Sequence, residues 1–296
     1  MKRTRLNLLS ISVLGLILGV NVIGALASTA PGLGTAASFA ILAGTTVTNN
    51  TAPSTTVVTG DLGVSPGTAV TNMTGAPNGT LVGTQHTGND PLAISAKNAL
   101  TAAYGVAAGS PCNFNKSNQN LGGQTLTPGT YCQTTAPTLT GTVTLSGNGV
   151  FIFQIGSTLV TAPGATVALI NGAQPCNVFW QVSSSATLDT TTTFVGTIMA
   201  LTSISLNDSA TIAGRALARN GAVTLINNRI TAPTTCAAAT VAGPTPTPAP
   251  VGVPNGGGGP PQSEGFPWIL ALVAGVLGGA GAVGLGLTVR GHRRTT

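Results

Sequence analysis

The stretch SSSATLDTTTTFVGTIMALTSISLNDSATIAGRALARNGAVTLINN, residues 183–228, decides the fold. Inside it, short runs alternating small polar and apolar residues end on a leucine and a turn residue: SATLDT at Leu188, SISLND at Leu206 and AVTLINN at Leu225. The spacings are 206 − 188 = 18 and 225 − 206 = 19. A period of that length holds three short strands and three corners, one coil of a three-sided solenoid. The leucine row extends back to TVTLSGN at Leu145 and QTLT at Leu126, again 145 − 126 = 19 apart. Between 145 and 188 either Leu159 or Leu169 fills the row, with an insertion on one side.

A second row of strands is apolar throughout: Val150–Ile155, Asn177–Val182, Phe194–Ala200 and Gly214–Ala218. Phe151, Phe153, Phe179 and Trp180 are expected to supply most of the core there. The corners lack the regular Asp of calcium-binding β-rolls. One helix interrupts the pattern over residues 90–108, with Asp90 as cap, Pro91 at the first position and Gly109 as terminator. Ala93, Ala96, Leu100, Ala103 and Ala107 share one face, small enough to lie close against a solenoid wall. Residues 66–90 read as irregular capping structure.

The net charge of +6 lies at the ends. From Ser28 to Gly265, Lys97, Lys116, Arg215, Arg219 and Arg229 balance Asp61, Asp90, Asp189, Asp208 and Glu264, 5 − 5 = 0. A basic isoelectric point therefore carries no signal for nucleic acid. Residues 1–27 read as a secretory signal: KRTR, a long apolar run and Ala25-Leu26-Ala27 before Ser28. Residues 237–265 are a Pro/Gly-rich linker, semi-rigid in TPTPAP and flexible in PNGGGGPP. Residues 266–289 are uncharged, and as a helix would cross a bilayer core of ~30 Å. The basic residues of 290–296 place that end in the cytoplasm. A GxGxxG at Gly279–Gly284 lies inside this span, not between a strand and a helix, and is no dinucleotide site. The expected mature chain is exported and held in the membrane, with residues 28–236 outside as one folded domain.

Three groups of residues carry a family resemblance. NGAQPCNVFWQV, SSSATL, FVGTIMA and GRALARNGAVTL lie between Asn171 and Leu225. LGTAASFAILAGTTVTN and GDLGVSPG open the domain, and LTPGTYC ends at Cys132. In this order the strings resemble the bacterial and fungal ice-binding proteins with a discontinuous β-solenoid, over about 32–236. The resemblance implies a mainly β fold: a right-handed parallel β-helix of triangular section, one long α-helix alongside, and a cap region between N-terminal and C-terminal coils. It implies ice as the partner, with members acting as antifreeze proteins, recrystallisation inhibitors or adhesins that hold cells to ice. No cofactor, metal, nucleic acid or small-molecule substrate is expected, and the chain is expected to act as a monomer.

An ice lattice is neutral and periodic, so a binder needs a flat, rigid, uncharged face whose hydroxyls and methyls repeat. Stacked coils set equivalent residues ~4.8 Å apart, and residues i and i+2 of a strand ~6.7 Å apart on one face. If the leucine row points inward, Thr125, Thr144, Thr187, Ser205 and Thr224 point out, with Thr142, Ser185, Ser203 and Ala222 two residues earlier. This is the first-choice face, interrupted by Asp189 and Ile226. The second choice is the edge carrying Thr191, Thr193 and Thr211. The alternative function is a non-catalytic surface adhesin or structural module on the same fold.

Four cysteines in an exported chain suggest disulfides. Of three possible pairings, Cys112–Cys132 would tie the helix exit to the first following coil, and Cys176–Cys236 would tie the terminal coil back. There is no C-x-x-C, G-x-S-x-G or H-E-x-x-H, and His86 stands by itself in the ectodomain. Asp189 and Asp208, 208 − 189 = 19 apart, are the one acidic pair a solenoid could stack for hydrolytic chemistry, and turn residues are the plainer reading. Arg215 and Arg219 are expected to flank the sheet and pair with acids.

Overall fold

The computed structural model describes residues 28–50, 55–73, 77–136 and 138–235. Residues 1–27, expected as a signal sequence, the expected linker, residues 266–289, the basic residues 290–296 and Cys236 lie outside the described residues. No helix among the described residues is long and apolar enough to cross a membrane.

The described residues form 22 strands and one α-helix, and every strand pairing is parallel. The strands fall into three walls, visited in the same order in each coil. Wall 1 contains β1 (Phe39–Ala43), β4 (Asp61–Val64), β7 (Gln85–Thr87), β8 (Phe114–Asn115), β10 (Gly129–Gln133), β13 (Phe151–Ile155) and β16 (Val178–Val182). Wall 2 contains β2 (Thr46–Asn49), β5 (Ala69–Thr71), β11 (Thr138–Leu139), β14 (Leu159–Thr161), β17 (Ala186–Leu188), β19 (Ile204–Leu206) and β21 (Val223–Leu225). Wall 3 contains β3 (Val57–Thr59), β6 (Thr80–Val82), β9 (Thr125–Leu126), β12 (Thr142–Ser146), β15 (Thr166–Ile170) and β22 (Arg229–Thr231). The long strands β18 (Thr193–Ala200) and β20 (Thr211–Ala218) begin on wall 3 and bend through the corner into wall 1.

The stack does not follow chain order. β1 pairs with β20, β2 with β21 and β3 with β22, so the first coil docks on the last one. The second coil extends the stack, β4 on β1, β5 on β2 and β6 on β3. Three strands thus lie within the stretch 66–90 that the sequence suggested was irregular. The α-helix α1 (Pro91–Gly109) then carries the chain back along wall 1 to β8 at the far end. Its 19 residues span about 28 Å, the height of about six coils.

Wall 1 is apolar on both sides because both sides are covered. Facing inward, Phe114, Tyr131, Phe153 and Trp180 stack in sequence, with ring centroids 4.8, 5.3 and 3.9 Å apart, and Phe194, from the wall 3 part of β18, tilts against Trp180 at 4.9 Å. The buried indole of Trp180 donates to Val195 O at 3.0 Å. Facing outward, Ile152, Phe179, Met199 and Leu217 pack under α1 against Ala96, Leu100, Ala103 and Ala107. Phe179, expected in the solenoid core, belongs to this second core. The five small residues singled out on α1 are all buried, together with Tyr104.

Polar groups under α1 are held by specific partners. Asp90 Oδ1 caps the helix by accepting from Leu92 N at 2.8 Å, and its Oδ2 lies 2.8 Å from His86 Nδ1. Gln154 Nε2 donates to Ala107 O and Ser110 O at the other end. Arg215 finds no acid. Its guanidinium, 4% exposed, donates to Ala37 O at 2.9 and 2.7 Å and to Pro233 O at 3.1 Å. Arg219 lies over the Tyr104 ring, 4.7 Å from its centroid. Both arginines depart from the ion pairs expected of them because α1 and the chain ends surround them with carbonyls and an aromatic face.

The leucine row splits between two walls. Leu126, Leu145 and Leu169 stack on wall 3, whereas Leu188 and Leu206 stack on wall 2 and Leu159 stands over Ala186 there. On wall 1, Tyr131, Phe153, Trp180, Ile198 and Ala216 are successive register partners. Their spacings are 153 − 131 = 22, 180 − 153 = 27, 198 − 180 = 18 and 216 − 198 = 18. The coil that runs from Trp180 to Ile198 is therefore shorter than the one before it by 27 − 18 = 9. The whole excess sits at the corner between walls 3 and 1. From Thr166 to Phe179 the chain advances by 179 − 166 = 13, and over the paired stretch from Thr193 to Thr197 by 197 − 193 = 4, a difference of 13 − 4 = 9.

Where β18 and β20 turn that corner, Gly196 (φ 108°) and Gly214 (φ 156°) are register partners. A Cβ on Gly214 would lie 1.9 Å from Gly196 O, and no rotamer relieves a clash with backbone. Gly214→Ala is therefore expected to destabilise by about 1–3 kcal/mol in urea unfolding. Gly105→Ala, on an exposed helical site with open space around it, should stabilise by up to about 1 kcal/mol.

Lys97 of α1 donates to Ala218 O at 2.8 Å and to Arg219 O. Burial, with Arg219 nearby, pulls its ammonium down to about 8. Between about pH 8 and 10 the unfolded chain, with lysine near its ordinary ~10.4, holds a proton that the folded chain lacks. The folded state's advantage is thus smallest below that window, where the buried ammonium must stay charged. Stability is expected to rise with pH across it, and melting curves of Lys97→Met should lack the rise.

Candidate functional site

Wall 1 is closed by α1, leaving walls 2 and 3 as extended open surfaces. Along wall 2 the outward positions Thr138, Val160, Thr187, Ser205, Thr224, Thr48 and Thr71 are consecutive register partners. Val160 interrupts the hydroxyls once, and the last five form an unbroken column. Beside it, two residues before each of its last five members, lie Ser185, Ser203, Ala222, Thr46 and Ala69, so two alanines interrupt the second column. Ser203 Oγ accepts from Ala222 N at 3.2 Å, and Ser185 Oγ accepts from Ser203 N at 3.4 Å. These contacts tie the second column to the backbone of the adjacent coil.

No strand of wall 2 contains a charged residue. The nearest carboxylates lie at the corner between walls 2 and 3, and each is held by the next coil. Asp189 Oδ1 accepts from Asn207 Nδ2 at 2.9 Å and from Thr190 N at 2.7 Å. The Asn207 bond, with the Thr190 amide, holds the Asp189 carboxyl below its usual range. Asp208 Oδ1 accepts from Asn227 Nδ2 at 2.7 Å, and Oδ2 from Ser209 Oγ at 3.0 Å. The two acids do not stack on each other. Leu188 pairs with Leu206, so the register sets Asp189 against Asn207. They are corner residues held by asparagine amides. Among the described residues no group of three His, Cys, Asp or Glu could hold a metal.

The first-choice face combined residues from two walls. Thr187, Ser205, Thr224, Ser185 and Ser203 lie on wall 2 as expected together. Thr125, Thr142 and Thr144 lie on wall 3, displaced there by the longer coils between 145 and 188. On wall 3, Thr142, Thr166, Thr193 and Thr211 are successive register partners, joining one first-choice residue to two of the second choice. That column then meets Arg229, exposed, and Val57. Wall 3 also exposes Ile170 (44%) and Val82 (55%). Thr191 belongs to neither wall. It turns the corner between them with φ 56°.

Thr46, Thr48, Thr71 and Thr138 complete wall 2 and were not singled out from the sequence. A signal was present, since Val-Thr-Asn occurs at 47–49 and again at 70–72, 70 − 47 = 23 apart. Those segments pair directly, and Asn49 and Asn72 exchange hydrogen bonds to each other's carbonyls at 2.9 and 3.1 Å.

Cys112 and Cys132 form a disulfide between the helix exit and β10, with Cα atoms 5.8 Å apart. Cys176 is also disulfide-bonded. Its expected partner, Cys236, lies outside the described residues.

A cavity of about 280 Å³ lies where the end of α1 meets wall 1, lined by Tyr104, Gln133, Gln154, Gln181 and Ser183. Gln154 caps α1, and Gln181 Nε2 donates to Tyr104 Oη at 2.7 Å and to Ser183 Oγ at 3.1 Å. Its lining carries no charge, and the Gln154 and Gln181 amides are committed to structural contacts.

A family model described as ice-binding-like matches residues 41–231. An ice-binding protein of Nostoc sp. (strain HG1) is 46% identical over 203 residues, covering 67% of this chain and 72% of its own length. The crystal structure of an ice binding protein from an Antarctic biological consortium is similar with a TM-score of 0.65 and 45% identity, covering 69% of this chain and 92% of that one. That of an ice-binding protein from the Antarctic ascomycete Antarctomyces psychrotrophicus gives 0.65 and 36%, covering 70% and 100%. A family match that runs from β1 to the last strand, over the coils that build all three walls, settles the kinship: this chain belongs to the ice-binding-like family.

Proposed function

We propose that this protein adsorbs to ice through wall 2, inhibiting ice growth or recrystallisation without catalysis. The observation that carries the reading is the column Thr187, Ser205, Thr224, Thr48 and Thr71 on a wall free of charge. Parallel coils repeat at ~4.8 Å, and the flanking positions lie ~6.7 Å along each strand. Each threonine offers a hydroxyl that can bond to a surface water and a methyl that excludes one. On a wall held by coil-to-coil hydrogen bonds, such groups order water with little further loss of their own conformational entropy. An Arg or Lys in the array would hold its own hydration shell, which favours wall 2 over wall 3. The relatives named as ice-binding proteins give the reading its ligand.

The setting is part of the same proposal. Residues 1–27 would direct export, and residues 266–289 would hold the chain in the membrane with the solenoid outside and 290–296 in the cytoplasm. In such a setting the domain would hold its bearer to ice as well as restrain ice growth. A structural or adhesive module without ice activity is the outcome to set against it.

Two substitutions test the wall. Thr224→Tyr and Ser205→Tyr, both at the centre of the column, should lower thermal hysteresis and recrystallisation inhibition. The loss expected is roughly tenfold in effective concentration, about 1.4 kcal/mol. Unfolding free energy should stay within about 0.5 kcal/mol, since both side chains are half-buried on the outer side of the wall and fill no part of the core. Thr193→Tyr on wall 3 should leave both activities near wild type. Equal loss from Thr193→Tyr and none from Thr224→Tyr would move the site to wall 3.

A further inference from the structure

Behind the outward column of wall 2 runs an inward row, one residue further along each strand. In three successive coils that row holds Leu188, Leu206 and Leu225, all buried. The register partner of Leu225 on the first coil is Asn49, whose side chain is fully buried. An amide where leucine fits costs free energy unless its polar atoms are bonded. The exchange of leucine for asparagine falls at the joint where the last coil meets the first.

Neighbours on both sides of that joint satisfy the amide. Asn49 Oδ1 accepts from Thr56 Oγ1 at 3.0 Å, and the same hydroxyl accepts from Asn228 N, on the last coil, at 3.0 Å. Asn49 Nδ2 donates to Asn72 O at 2.9 Å, and Asn72 Nδ2 returns a bond to Asn49 O at 3.1 Å. Asn228 Nδ2 carries the network on to Asn207 O at 2.8 Å. Asn49, Thr56 and Asn228 are at most 1% exposed. One hydrogen-bonded chain thus follows the corner between walls 2 and 3 from the coil of β19 to that of β5, and it crosses the joint.

We propose that Asn228, Thr56, Asn49 and Asn72 form a register lock that keeps Thr48 and Thr71 in line with Thr224, which makes these four the positioning residues of the ice-binding column. The inference deepens the reading of wall 2 as the ice face and rests on it. Apolar packing specifies this joint poorly, because a slip of two residues along β2 keeps every side chain on its own face. Chain connectivity does not set the register either, since the joined strands lie 224 − 48 = 176 residues apart. A buried polar network is satisfied at one alignment only, as a single asparagine fixes the register of a coiled-coil seam. At that alignment Thr48 stacks on Thr224 and five hydroxyls form one column. At any other, the column divides into Thr187, Ser205 and Thr224 on one side and Thr48 and Thr71 on the other.

The test uses the full chain kept in solution by detergent, with thermal hysteresis read at equal folded concentration. Thr56→Val removes the bridging hydroxyl at nearly unchanged volume and should lower activity roughly tenfold, whereas Thr56→Ser keeps the hydroxyl and should match wild type. A coupling measurement separates alignment from stability. Thr48→Tyr should cost the wild-type chain roughly tenfold but the Thr56→Val chain no more than about twofold further, because its Thr48 is already out of line. Ser205→Tyr should cost both chains alike. If Thr56→Val does not fold, Asn72→Gly replaces it, with Thr71→Tyr in place of Thr48→Tyr. Glycine accepts the φ of 55° at that exposed site, and the side-chain bond to Asn49 O is lost. Additive losses, or wild-type activity in the variant that folds, overturn the lock. A harmless Thr48→Tyr beside a harmful Ser205→Tyr ends the column at Thr224, which overturns the lock and leaves wall 2 as the ice face. Harmless substitutions at both positions, or a wild-type chain without hysteresis, defeat the reading of wall 2 and the lock with it.

Discussion

Backbone hydrogen bonding between successive parallel coils is the constraint on which the rest of this molecule depends. It fixes the separation of equivalent residues at ~4.8 Å and sets each inward position on the inward position of the next coil. Hence Phe153 lies on Trp180, Thr187 on Ser205, and Gly196 on Gly214. A side chain that fits one coil but not the next breaks the ladder at that level. Some corners feel this most: at Gly44, Gly67 and Gly214 the backbone of one coil touches that of the next and leaves no space for a Cβ. The same repetition that packs the interior makes the exterior periodic, so a water-ordering surface needs no separate scaffold.

The chain completes its stack out of order, and the surface depends on that joint. Thr224 comes from the last coil and Thr48 from the first, yet they are adjacent in the column. What holds the two coils together is partly the strand pairing and partly Arg215, which binds the lead-in residue Ala37 and the departing residue Pro233. Burial pulls this guanidinium down to about 10, but it stays charged at neutral pH. A buried charge without a counter-ion is costly. Here carbonyls of two distant segments supply the acceptors, so the charge is satisfied only when both chain ends are in place. Asn228 acts similarly nearby. Its backbone amide donates to Thr56 Oγ1, and its side chain donates to Asn207 O and Ala210 O.

Much of this was legible in the sequence, and the part that was not has a physical cause. The regular period announced three-sided coils because residues 183–228 contain no insertion. The helix and its alanine face were legible because a cap, Pro91 and small residues coincide. The exchange between walls 2 and 3 was not. Strands of both walls alternate threonine with a buried aliphatic residue, so TVTL at 142–145 and ATL at 186–188 look alike. Only the insertion before β16 distinguishes them, and it carries no mark of which corner it occupies. The N-terminal rungs were missed for another reason. A period search runs along the chain, whereas Thr48 docks on Thr224 of the last coil and Thr71 docks on Thr48.

The neutrality of the chain between Lys97 and Glu264 has a more local meaning in three dimensions. Two acids and three arginines remain in the C-terminal coils, and the fold places the three arginines away from wall 2. Arg215 and Arg219 lie under or beside α1, and Arg229 projects from wall 3. Asp189 and Asp208 are at the margin of wall 2, where a hydrated carboxylate would do most harm to an ordered water layer. There the coil spacing brings Asn207 and Asn227 within hydrogen-bonding distance, so that part of each carboxylate's demand for donors is met by the protein rather than by water. Asp189 is a weaker interruption of the face than its charge suggested, because the same stacking that aligns Thr187 with Ser205 also aligns it with an amide.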